Sequence, residues 1–281
     1  MKKMWTLLKK DLWTSFTDKT IVLMLFTPVI LGIIFRIVTY DTWMILLTMS
    51  LFNLVLAPLC NFPLLITEEK DRGTLPLLFR SKVTVGQFTA SKAAASLLTG
   101  ECMSAVVFFI AGAAPSLLPQ YLLINLVCMA SFLPYGFLTA LFARDQNSVN
   151  VYSTLSVILA FVIPVFSYWN LAFGSIAVFI PTSFMGTVLS QVNPVEGFLD
   201  SSPVWSLAVC VIWFAAGLAI LYAVRKKRAF FPISAGQKKT EVPLEKGCII
   251  KALEQAEDLL MIHSEEPSLR DVFLTLTKEE A

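Results

Sequence analysis

Histidine is nearly absent from this chain, with His263 alone among 281 residues, and charged residues make up only 15% of it. Water-soluble domains carry about a quarter charged residues, so a composition this poor in charge excludes an ordinary soluble fold. The five cysteines, Cys60, Cys102, Cys128, Cys210 and Cys248, form no close pair in sequence. With one histidine beside them they offer no ligand set for zinc or copper, and they read as small buried hydrophobes. A phosphate-cradling loop is missing as well. Gly86, Ser91 and Lys92 are the nearest approach to one, but the second glycine and the terminal hydroxyl residue are lacking, so no backbone cradle forms. No serine, cysteine or carboxylate stands with a base in a nucleophilic arrangement. The chain is therefore not read as an enzyme: it carries no metal and no cofactor of its own, and nothing points to nucleic acid. Energy for active work has to come from another chain or from an ion gradient.

Apolar residues, by contrast, make up 56% of the sequence, and the mean hydropathy is +0.72. Crossing a ~30 Å hydrocarbon layer takes about 20 helical residues. Six runs approach or exceed that length, near residues 20–38, 43–66, 88–114, 121–142, 149–169 and 204–224. Of the 22 lysines and arginines, only Arg36 falls on the outer side if both termini are cytoplasmic. The positive-inside bias selects that orientation in a cell membrane. Tyr40, Trp43, Tyr121, Tyr168, Trp169 and Trp205 are expected at the outer interface. The first run lacks a small-residue cleavage site and is expected to stay in the mature protein.

Ahead of it, residues 1–19 place Trp5, Leu8, Leu12 and Phe16 at helical spacing beside Lys2, Lys3, Lys9 and Lys10. That pattern predicts an amphipathic helix lying on the bilayer surface. Residues 170–203 are apolar but broken by Gly174, Pro181, Gly186, Pro194 and Gly197. Short, partly inserted outer helices are expected there, with their irregular backbone buried by protein or lining water. The domains expected are an interfacial helix (1–19), a six-helix membrane domain (20–228), and a cytoplasmic linker with a small helical tail (229–281). The fold class is an all-α integral membrane protein.

Residues 67–92 stand out as a dense charged patch between two membrane-grade runs. Glu68, Glu69, Lys70, Asp71, Arg72, Gly73 and Thr74 lead into Leu75, Leu78, Phe79 and Val83. Thr74 is suited to cap a helix whose first turn tolerates Pro76. Leu75, Leu78, Phe79 and Val83 then form an apolar stripe suited to the membrane or to a partner's groove. The acidic residues before it are placed to pair with basic groups of a soluble subunit, or the whole segment is a charged loop that holds topology. Glu69 to Leu75, followed by Leu78, Ser81, Val83 and Lys92, resembles the coupling-helix signature of permease subunits of type-2 ATP-binding-cassette exporters. The resemblance implies that Glu68 through Leu75, with Leu78 and Phe79, contact a separate ATPase that holds the ATP and Mg. It also implies a second permease subunit, identical or paralogous. Pro76 stands where the family usually has glutamate, and Lys82 where it usually has proline, which puts the detail of the ATPase contact in question.

Leu253, Ala256, Leu259, Leu260 and His263 trace a helical stripe in the tail. Pro267 to Thr277 resembles the C-terminus of the ATPase subunits of the same class, which makes Leu269, Asp271, Val272 and Phe273 candidates for docking against an ATPase. The alternative is an amphipathic helix of chance similarity. Within the spans, a charge costs ~3 kcal/mol or more at the bilayer centre and is a functional candidate by default. Arg36 lies near a span end, where it can snorkel, and reads as structural. Glu101 lies deeper, about 13 Å beyond Lys92 at 1.5 Å per residue. It is placed to face a cationic substrate, to meet a second subunit, or to remain protonated against Ser and Asn neighbours. The expected function is export of a hydrophobic or amphiphilic compound such as a drug, antibiotic, peptide or lipid. The alternatives are a membrane immunity or sensing protein without transport, and a gradient-driven carrier, which repeat symmetry and paired interrupted helices would mark.

Overall fold

Backbone amides in an apolar run have no water to bond to, so the run must satisfy them internally, and here it does so as helix. The computed structural model describes residues 2–75, 78, 83–143, 145–167, 170–192 and 202–227, and every regular element among them is helical. Six helices are long and apolar enough to cross a membrane: Lys19–Thr39, Thr42–Asp71, Val85–Ala111, Pro115–Phe142, Gln146–Phe166 and Pro203–Val224. These first to sixth spans fall where the six apolar runs predicted them, and they make the chain a multi-pass helical membrane protein. The chain divides into two units, Met1–Phe230 and Phe231–Ala281. The second unit, with the expected tail helices, His263 and Cys248, lies outside the described residues.

Short polar residues set the helix starts by accepting orphan amide protons. Asp18 Oδ1 takes Thr20 N at 2.9 Å and Ile21 N at 3.2 Å, opening the first span. The first span ends at Tyr40 (φ +55°), and Asp41 then restarts the chain by accepting from Trp43 N at 2.9 Å. Thr84 and Gln87 form a reciprocal capping box, 3.2 Å in both directions, under the third span. Asp145 opens the fifth by accepting from Ser148 N at 2.7 Å.

The second span is the hub. In its most apolar window 89% of residues are buried, against 28% for the first span and 17% for the sixth, so the others pack around it. Two stretches, Leu46–Ser50 and Ala57–Asn61, are wound as π-helix. Pro63 has no N–H, which frees the carbonyl of Leu59, and Ser153 Oγ of the fifth span donates to it at 2.5 Å. Ser96 Oγ of the third span donates to the Ala57 carbonyl at 2.6 Å. Ser153 thus serves a carbonyl that Pro63 cannot reach, and Ser96 adds a second donor to one that the π-turn already bonds through Phe62 N. The fourth span meets the same bulge through Gly136, where a Cβ would lie 2.0 Å from the Pro58 carbonyl oxygen. Only a residue without a side chain permits that approach.

Between the fifth and sixth spans run the short helices Leu171–Ala177 and Gly186–Val192, with a 3-10 turn at Pro181–Met185 between them. The turn is buried among the second, fourth, fifth and sixth spans. Its carbonyls and those beside it take protein donors: Cys128 Sγ to Pro181 O at 3.2 Å and Trp213 Nε1 to Phe179 O at 2.7 Å. The turn itself is therefore buried by protein, whereas Phe173, Ile176 and Phe179 just before it stay exposed.

Arg36 caps the third span. Its Nη1 donates to Ala111 O at 3.2 Å, placing the cation at the negative end of that helix, in keeping with a structural role. Two expected interface aromatics are corrected. Tyr121 is fully buried and Trp43 nearly so, because Tyr121 spends its hydroxyl inside the bundle on Ser50. Tyr40 and Trp205 are exposed, while Tyr168 and Trp169 lie outside the described residues.

Candidate functional site

The leading helix, Lys2–Thr17, packs along the third span and also touches the first. Trp5, Trp13 and Phe16 are exposed, whereas Leu8 and Leu12 rest half-buried against the core. The expected single apolar face is therefore split. Asp11, Thr14 and Ser15 form the buried seam, since a polar network waits beneath them.

Asp11 Oδ1 accepts from Lys92 Nζ at 2.9 Å, and Asp11 Oδ2 accepts from Ser91 Oγ at 2.7 Å. The same Lys92 Nζ lies 3.4 Å from Glu69 Oε1, which also takes Lys10 Nζ at 2.5 Å. Thr74 Oγ1 donates to the other Glu69 oxygen. The Asp11, Glu69 and Lys92 side chains are 2–3% exposed. Each ion buried this way carries a penalty of several kcal/mol, offset only when charges balance and remaining sites are bonded. Two carboxylates facing two ammoniums, with two hydroxyls donating to the acids, meet that condition. The Phe88 ring, with its centroid 5.0 Å from Lys92 Nζ, adds a cation–π contact.

The charged run continues to gather helix ends. Glu68 pairs with Arg72 at 2.8 Å. Lys70 Nζ donates to Ala140 O at 2.5 Å and Ala143 O at 3.2 Å, at the negative end of the fourth span. Asp71 Oδ2 accepts from Gln146 N at 3.1 Å, at the positive end of the fifth. Residues 68–74 thus knot the second span to the leading helix and to the third, fourth and fifth spans. Asp71, Arg72 and Gly73 remain exposed, and Gly73 has φ +62°, the left-handed turn that favours glycine. After it, Leu78 N bonds to Thr74 O at 3.1 Å, while the Thr74 hydroxyl, expected to cap, donates to Glu69.

Two expectations need correcting. Glu69 was expected to pair with a partner's basic residues, but it is buried and its oxygens are already taken within the chain. Lys92, at the end of the charged patch, is buried between two acids. Leu75 and Val83, placed on an outward stripe, are 7% and 8% exposed and belong to the interior; Leu78 is half-buried. Pro76, Phe79, Ser81 and Lys82, like Leu269, Asp271, Val272 and Phe273 of the tail, lie outside the described residues.

A second polar cluster lies within the spans. Asn53 Nδ2 donates to Gly100 O at 2.9 Å and to Ser104 Oγ at 2.6 Å. Asn125 Nδ2 donates to Ser104 Oγ at 2.6 Å and to Glu101 Oε1 at 3.3 Å. Tyr121 Oη donates to Ser50 Oγ at 2.8 Å. Glu101 therefore meets an Asn and sits near a Ser, the neighbours its depth called for, but Glu101 Oε2 and Asn125 Oδ1 are buried without a partner. Sequence reasoning passed over Asp11, Asn53 and Asn125, and named Lys10 only as a surface charge of the leading helix and Ser91 only in a loop that fails as a phosphate cradle. Asparagine in an apolar run and aspartate on an amphipathic helix were the available signals, since neither is placed there without a bond to make.

Among the described residues no group of three His, Cys, Asp or Glu side chains could hold a metal ion. No protein-family model matches the chain, and no curated protein or solved structure matches it either.

Proposed function

We propose that the chain is the membrane-spanning subunit of an ATP-driven exporter that moves a hydrophobic or amphiphilic compound out of the cytoplasm or inner leaflet. A separate ATP-binding-cassette ATPase, carrying the ATP and Mg, docks on residues 67–83, and a second permease subunit completes the translocation path. Both termini face the cytoplasm of the cell membrane, and the leading helix rests its exposed Trp5, Trp13 and Phe16 in the lipid headgroups. The observation that carries this reading is the exposed Asp71, Arg72 and Gly73 turn. It is anchored by charged side chains bonded to the neighbouring helices, so a push on it reaches the third, fourth and fifth spans together. A lever needs that rigid footing. Glu69 acts here as the footing and Arg72 as the outward contact.

Reconstitution of the full chain in vesicles with and without a candidate ATP-binding-cassette ATPase tests the reading. Efflux of an amphiphilic dye that needs both ATP and the ATPase is the expected result. Movement driven by an ion gradient without the ATPase overturns the proposal in favour of a carrier. The tail is tested separately: removing residues 265–281 is expected to weaken co-purification with the ATPase, and unchanged assembly removes its docking role.

A further inference from the structure

We propose that Glu101 and Asn125 form a receiving site for the primary ammonium group of an amphiphilic amine, which names a substrate class for the exporter reading and rests on it for its biological role. All the unmet capacity at this point is acceptor capacity. Glu101 Oε2 and Asn125 Oδ1 are buried and accept nothing among the described residues, and Glu101 Oε1 has one long bond, 3.3 Å, from Asn125 Nδ2. The ion pairs of the described residues all lie at the 67–75 end, so no lysine or arginine neutralises Glu101. With Glu101 ionised, a ligand that completes the site is positively charged and a donor.

The number of oxygens narrows the class. Two side chains offer three oxygens, and an ammonium has three N–H donors. Calcium, by contrast, takes six to eight oxygen ligands, and magnesium demands a full octahedron. The receiving groups are also held in place. Asn125 is fully buried and fixed by Ser104 Oγ at 2.6 Å, which Asn53 grips from the second span at the same distance. Such fixed acceptors need no reordering when a donor arrives.

Access comes from the apolar side. Glu101 is half-buried and borders the outward stripe of the third span made by Leu98, Cys102 and Phe109, all exposed. An alkyl tail lies along that stripe while its ammonium turns inward to the carboxylate. The arrangement gives a membrane-dissolved amine a reason to stop at this depth.

The test uses the full chain in nanodiscs of zwitterionic lipid without ATP or ATPase, and measures binding of dodecylammonium, dodecyltrimethylammonium and dodecanol. These share one tail and differ in donor and charge. Saturable dodecylammonium binding is expected, about tenfold or more tighter than either of the others, and weakened about tenfold by Glu101→Gln. Equal binding of the amine and the alcohol by the unaltered chain overturns the site whether or not the variant folds. So does unchanged affinity in a Glu101→Gln protein that elutes as a single species. A chain that binds the amine but shows no ATP-dependent efflux of any amphiphile overturns the exporter reading and leaves the site standing. Efflux of neutral amphiphiles without amine binding does the reverse.

Discussion

The two polar clusters of this chain are built from similar groups and solve opposite problems. At the 67–75 end, Asp11, Glu69, Lys10 and Lys92 balance charge for charge, and Ser91 and Thr74 donate to the acids. Within the spans, Glu101 and Asn125 are held just as closely by helix packing, but one oxygen of each is left unbonded. A satisfied buried network locks helices into one arrangement, whereas an incomplete one is a standing cost unless something completes it. The first cluster is a fastening. The second leaves acceptors open.

Substitutions can break or sharpen that contrast. Lys92→Met leaves Asp11 buried without its cation and should lower stability by about 3–5 kcal/mol. Thermal unfolding in nanodiscs reads the loss. Pairing it with Asp11→Leu should recover more than half of it, since Glu69 keeps Lys10; no recovery would mean that the two residues are not coupled. Gly136→Leu drives a side chain into the Pro58 carbonyl and should destabilise by about 1–3 kcal/mol, spread over the whole bundle. A folded variant with unchanged unfolding would place the fourth span farther from the hub. Ser153→Ala should cost about 1 kcal/mol by orphaning the Leu59 carbonyl, detectable as faster amide exchange around residues 59–63. Glu101→Gln removes an unneutralised charge from the spans and should raise stability, by up to about 3 kcal/mol. Its new amide can donate to Asn125 Oδ1, so a large loss would show that Glu101 is a fastening after all. The same unfolding measurement, run beside Lys92→Met, separates the two clusters directly.

The spans were legible because hydrophobic thickness acts on each run by itself. Twenty apolar residues in hydrocarbon have no alternative to helix, wherever the neighbours lie. The helix starts at Asp18, Thr84 and Asp145 were not read from the sequence, although each cap depends only on residues two or three positions away. Glu101 was legible for a local reason, as a charge where charge is expensive. The central place of the second span was not, because its apolar run looks like the others. Only the π-turns, Pro58 and Pro63, with hydroxyls supplied by Ser96 and Ser153, reveal that the others close around it. Tyr121 and Trp43 were misplaced because an aromatic at a span end has the same composition signature whether it faces headgroups or the core.

What the sequence determined by itself is therefore the solvent: a chain this apolar and this poor in charge must fold as helices long enough to cross a membrane, with its charge gathered at the ends. Tertiary structure alone decided how that charge is used. Asp11 and Lys92 are 81 positions apart, and Lys10 and Glu69 are 59 apart. Hydropathy is a property of one segment at a time, but whether a carboxylate is neutralised or left open depends on which distant helix lies beside it.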